Sequence, residues 1–110
     1  MRYVLAAVVL VLFSAACASR VGQDAHVRNA TGSVLAASYL DDLAAGVRAG
    51  KAGDQTTMQT LTQTQRLVSL PNETRVHVLH AYASLGYYDV RVLEGTYAGD
   101  EMWIRWDDLA

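Results

Sequence analysis

The chain has a single cysteine, Cys17, in 110 residues. No internal disulfide can form, so any core must come from packing alone or from a partner. Proline also occurs once, at Pro71, where Pro71-Asn72-Glu73 reads as a turn. There is no run of like charge. Nine basic and eleven acidic residues are dispersed along the chain, which removes the main electrostatic driver for nucleic-acid binding or polybasic membrane docking. The sequence also lacks a Gly-x-Ser-x-Gly elbow, a phosphate-cradling glycine loop, a dinucleotide fingerprint and a His-Glu-x-x-His pair. No enzyme class is indicated, no cofactor is implied, and the expectation is a non-catalytic protein. No stretch reaches the ~20 apolar residues that span a bilayer comfortably.

The first residues follow a different logic from the rest. Met1-Arg2-Tyr3 carries one positive charge, and Val4–Phe13 is an unbroken apolar run. Ser14-Ala15-Ala16-Cys17-Ala18-Ser19 then supplies the small residues that a processing peptidase accepts. This is the order of an export signal. Small residues directly before a cysteine make it resemble a bacterial lipoprotein signal, over residues 1–17 only. The resemblance implies cleavage before Cys17, lipidation of Cys17, and a membrane partner reached through that lipid. Ser14 stands where such signals commonly carry an aliphatic residue. Ala16-Cys17-Ala18 also fits ordinary small-x-small cleavage after Ala18, which would discard Cys17.

The resulting division is a signal peptide at 1–16, an anchor cysteine and tether at 17–25, and one small domain at 26–110. Removing the signal takes Arg2 away and leaves eight basic against eleven acidic residues. The expected place is the bacterial cell envelope, anchored on the exported side. The alternative is a soluble periplasmic or secreted domain.

Within the domain, 26–30 reads as a short strand and 31–33 as a turn. Residues 34–48 fit two patterns: a strand over 34–41, or a helix with Leu35, Tyr39, Leu40, Leu43 and Val47 on one face. The glycine- and alanine-rich stretch 44–54 reads as a mobile surface loop. Residues 55–70 alternate Thr with other residues and read as a strand. Residues 74–82, 87–94 and 102–107 alternate apolar with polar residues and read as three strands. The fold class expected is mainly β, a small antiparallel β-sandwich or barrel after a cleaved signal helix. The alternative is a β-rich α+β domain with a short helix near 35–48.

The last two strands fit as a hairpin, with Val92 opposite Met102, Val90 opposite Ile104 and Tyr88 opposite Trp106. In that register Asp89 meets Arg105 and Arg91 meets Trp103, an opposite-charge and a cation–aromatic pair. The outward side chains Tyr87, Arg91, Trp103 and Arg105 form the candidate binding surface, suited to an envelope protein or a glycan. His77 and His80 would point to opposite faces of a strand, so no metal site is assigned. Asp41-Asp42 and Asp107-Asp108 read as solvated turns or ends. A small metal-binding or hydrolytic envelope protein using these groups is the remaining alternative.

Overall fold

The computed structural model describes residues 20–82 and 84–110; the segment read as an export signal and Cys17 lie outside the described residues. Six strands form one antiparallel sheet: β1 (Asp24–His26), β2 (Ser33–Ala37), β3 (Val68–Pro71), β4 (Arg75–Tyr82), β5 (Tyr87–Val92) and β6 (Glu101–Arg105). Their order across the sheet is β1-β4-β5-β6-β2-β3. Two helices, α1 (Leu40–Ala52) and α2 (Gln55–Gln63), connect β2 to β3. The protein is mainly β, but it is neither a two-sheet sandwich nor a closed barrel.

The connection from β3 to β4 dictates the shape of the sheet. Only Asn72–Thr74 separate the two strands, and Thr74 N–H donates to the Pro71 carbonyl at 3.2 Å. That turn brings its ends to within ~7 Å. In a flat sheet β3 and β4 would lie four strand spacings apart, about 19 Å. The sheet must therefore roll. Its inner face collects Val34, Ala36, Leu70, Val76, Val78, Tyr88, Val90, Val92, Met102 and Ile104 into one buried cluster. Val27 and Leu109, bridged to each other beyond the strands, join that cluster. Glu73 holds the turn in a left-handed conformation (φ 73°). Its carboxylate reaches Arg28 at 2.7 Å and His26 at 3.4 Å, tying the turn to the end of β1.

Both helices pack on the outer face, where Leu43 of α1 and Leu61 of α2 meet Ala37 and Leu67. The stretch 44–54, read as a loop, belongs mostly to α1. Gly46 is a packing notch rather than a breaker: a Cβ there would sit 2.7 Å from Leu67 Cδ2, and Leu67 is buried. The helix stops at Gly53, whose φ of 68° suits glycine. Asp54 then caps α2, accepting from Thr57 N–H at 3.1 Å and from the Thr57 hydroxyl at 2.6 Å. These bonds hold the Asp54 carboxyl below the usual carboxylate range.

The Thr-alternating stretch 55–63 is a helix, not a strand. Its hydroxyls are satisfied locally: Thr60, Thr62 and Thr64 donate to the carbonyls of Thr56, Met58 and Thr60, at 3.0, 2.8 and 2.7 Å. This back-bonding lets a β-branched residue sit in a helix. The apolar spacing of Met58 and Leu61 then faces the sheet.

The two glycines of α1 give opposite expectations. Gly50 has open space around its Cβ position and no positive φ, so Gly50→Ala should raise stability by up to ~1 kcal/mol. Gly46→Ala gains the same propensity but overpacks against Leu67, a cost of about 1–3 kcal/mol. It should be neutral to destabilising. Urea denaturation of both variants checks the difference in sign.

Candidate functional site

The helices cover part of the outer face of β5 and β6, where Tyr87 and Trp103 are partly buried against the helical cluster. Cross-strand pairing orders the side chains on the outer face of β4, β5 and β6 in three rows. Tyr82 lies opposite Tyr87, and Tyr87 opposite Arg105. His80 lies opposite Asp89, and Asp89 opposite Trp103. His77 lies opposite Arg91, and Arg91 opposite Glu101.

This register differs from the expected one by two residues. Asp89 meets Trp103 rather than Arg105, and Arg91 meets Glu101 rather than Trp103. The loop fixes it: Val92 N–H donates to the Asp100 carbonyl at 2.9 Å, and Gly99 N–H to the Val92 carbonyl at 2.7 Å. Opposite charges still meet, since Arg91 and Glu101 approach to 3.5 Å. A shift of two preserves faces, so Tyr87, Arg91, Trp103 and Arg105 do share one side of the sheet. Trp106 does not lie opposite Tyr88 as expected, because Ile104 does. The chain leaves β6 at Arg105 and turns into a 3-10 segment, Trp106–Asp108, leaving Trp106 52% exposed.

A β-bulge in β4 between Val78 and His80 adds to the face. Strict alternation would turn His80 and Tyr82 inward with Val76 and Val78. The bulge at Leu79 turns them outward, and it also puts His77 and His80 on the same side, against the expectation of opposite sides. The result is an aromatic corner in which the Tyr82 and Trp103 rings lie 5.6 Å apart, tilted by 59°. Beside it, His77 Nδ1 contacts Asp24 Oδ1 at 2.6 Å, joining β1 to the face. Among the described residues no group of three or more His, Cys, Asp or Glu is placed to hold a metal ion.

Asp89 sits between His80 and Trp103. Desolvation, and secondarily the nearby Glu101 charge, raise its carboxyl above the usual range, against a smaller opposing effect of His80. Asp108, buried under the end of β6, is raised mainly by desolvation as well. A carboxyl that holds its proton more tightly when folded makes the native state lose stability as pH rises from the ordinary carboxylate value through the raised one. Asp89→Asn combined with Asp108→Asn should therefore stabilise the protein at neutral pH and flatten that fall. Thermal unfolding at several pH values between 4 and 7, in roughly unit steps, reads it directly.

A second concavity, of about 410 Å³, lies where α1 begins, lined by Ser38, Tyr39, Asp41, Asp42, Gln65 and Arg66. Its main feature is an ion pair, Arg66 to Asp42 at 2.8 Å. The pair links the start of α1 to the segment after α2, and so is accounted for by structure. Asn29 and Asn72 also have a structural role: Asn29 N–H donates to Asn72 Oδ1 at 3.0 Å, and Asn72 Nδ2 to the Asn29 carbonyl at 2.9 Å.

No family model, curated protein or solved structure matches this chain.

Proposed function

We propose that this chain is a small exported domain, anchored by lipid on Cys17, that binds an envelope glycan without catalysing a reaction. The anchoring half rests on Ser14–Cys17 and the apolar run before it. The binding half rests on one observation, the Tyr82–Trp103 corner, with Tyr82 half exposed and Trp103 partly buried, beside Asp89, His80 and Arg91 on the outer sheet face. Aromatic rings present flat apolar surface to the C–H faces of a sugar, while the carboxyl, imidazole and guanidinium groups beside them meet its hydroxyls.

The intact mass of the protein extracted from cells, with and without detergent, tests the anchor. A chain starting at Cys17 with added acyl mass, recovered only with detergent, supports it. A soluble chain starting at Ser19 overturns it and leaves the soluble periplasmic or secreted domain. Binding to isolated envelope polysaccharide tests the face. Tyr82 is half exposed, so Tyr82→Ala can be made with little harm to the core. It should weaken binding roughly tenfold, as truncation of an interface aromatic commonly does. Unchanged binding would rule out the aromatic corner.

A further inference from the structure

We infer that the tip of the β4–β5 hairpin is a second membrane contact, resting in the bilayer interface beside the lipid on Cys17; this rests on the anchored reading above. Five large hydrophobic side chains are exposed among the described residues: Val21 (43%), Tyr39 (71%), Tyr82 (50%), Leu85 (59%) and Trp106 (52%). Tyr82, Leu85 and Trp106 gather at the hairpin tip, and Val21 lies in the turn seated on β4.

The geometry follows from hydrogen bonds. Residues 20–23 form a turn, with Gln23 N–H donating to the Arg20 carbonyl at 3.1 Å. The turn is seated on β4: Gly22 N–H donates to the Val78 carbonyl at 2.8 Å, and Val78 N–H to the Gln23 carbonyl at 2.9 Å. Because β1 and β4 are antiparallel, β4 continues past this turn, from Val78 to Tyr82, toward the side from which β1 begins. At the hairpin tip Leu85 N–H and Gly86 N–H both donate to the Tyr82 carbonyl, at 3.0 and 2.9 Å. Trp106 N–H donates to the Gly86 carbonyl at 2.9 Å, which brings Trp106 to the same tip.

Reach then decides the partner. Cys17 is three residues before Arg20, so an acylated Cys17 lies within ~11 Å of it. The hairpin tip begins four strand residues beyond Val78, about 13 Å. A lipid held at Cys17 thus brings the bilayer surface to the corner that carries Val21, Leu85 and Trp106, and leaves Tyr82 on the sheet face behind it. Trp favours that interface, with the ring in the apolar boundary and the N–H at the headgroups. The nearest acid on this segment, Asp107, is partly offset by Arg105 at 3.4 Å. Beyond residue 16 the chain carries eight basic and eleven acidic residues, so adhesion through anionic lipid is not the driver. The contact is apolar and should form on zwitterionic membranes at any ordinary salt concentration.

The test uses the full chain purified with its lipid and reconstituted into phosphatidylcholine vesicles brominated on the acyl chains near the headgroup. A Trp103→Phe background leaves Trp106 as the only tryptophan. The expected result is loss of Trp106 emission in brominated relative to plain vesicles, restored in large part by Leu85→Asp. Equal emission in both vesicles, with iodide in the water still quenching Trp106, would overturn the contact. If Trp103→Phe disturbs the fold, Leu85→Cys carrying a polarity-sensitive dye replaces it, since the sulfur of acylated Cys17 is already occupied. A blue shift of the dye on reconstitution supports the contact, and a water-like spectrum sinks it. Intact mass separates the two failures. No acyl mass on Cys17 removes the anchor and this contact together, while an acylated chain with an unquenched tip removes the contact alone.

Discussion

Leu43→Ala should cost about 2–5 kcal/mol, the range for truncating a buried leucine, and most of that loss should fall on the helices. Leu43 is fully buried and belongs to the smaller of the two clusters, with Ala37, Leu61 and Leu67. Only a few apolar side chains hold α1 and α2 to the sheet, and α2 buries Leu61 alone. The rolled sheet has a separate core on its other face. Hydrogen exchange should therefore show amides of residues 40–63 opening first in the variant, while those of β4, β5 and β6 stay protected. Trp103 packs at the edge of the helical cluster, so its emission should shift to the red as the helices loosen. Uniform loss of protection across helices and sheet would show that the two clusters unfold as one.

What was legible in the sequence is what alternation controls. Val76 and Val78, Val90 and Val92, and Met102 and Ile104 alternate with polar residues, and they face the rolled interior as a period of two requires. The shared side of Tyr87, Arg91, Trp103 and Arg105 followed from the same pattern. The register did not, because the backbone closure of the 93–100 loop fixed the pairing, while side-chain charge allowed more than one. The first helix was one of the two readings of 34–48, and the chain takes both, a strand to Ala37 and a helix from Leu40; the rest of α1 and all of α2 were hidden by residue types that carry a second meaning. Gly46 is small because Leu67 occupies its side of the helix. The threonines of 56–64 suit a strand, but their hydroxyls bond four residues back along a helix. His80 and Tyr82 were missed because one extra residue at Leu79 reverses the alternation midway along β4. A bulge of this kind leaves little trace in a single sequence, yet here it completes the candidate site.

Ile104→Ala should have the opposite spread to Leu43→Ala, with a similar cost of about 2–5 kcal/mol. Ile104 is fully buried on β6, opposite Tyr88 on β5 and Ala36 on β2. It stands in the middle of the sheet, where β5, β6 and β2 meet. A domain of about 90 residues commonly has some 5–13 kcal/mol of stability in all, so this one side chain accounts for a large share of it. No disulfide limits the unfolded chain, and nothing else among the described residues crosses the rolled interior covalently. Loss of Ile104 should accordingly lower the urea midpoint with little change in slope, as expected when stability changes and the surface exposed on unfolding does not. Protection should fall together in β2, β4, β5 and β6. The aromatic face depends on that sheet, so glycan binding by the variant should disappear at the urea concentration where the strands open. Binding lost well before the strands open would mean that the face is assembled by the helices, and that the sheet is only their support.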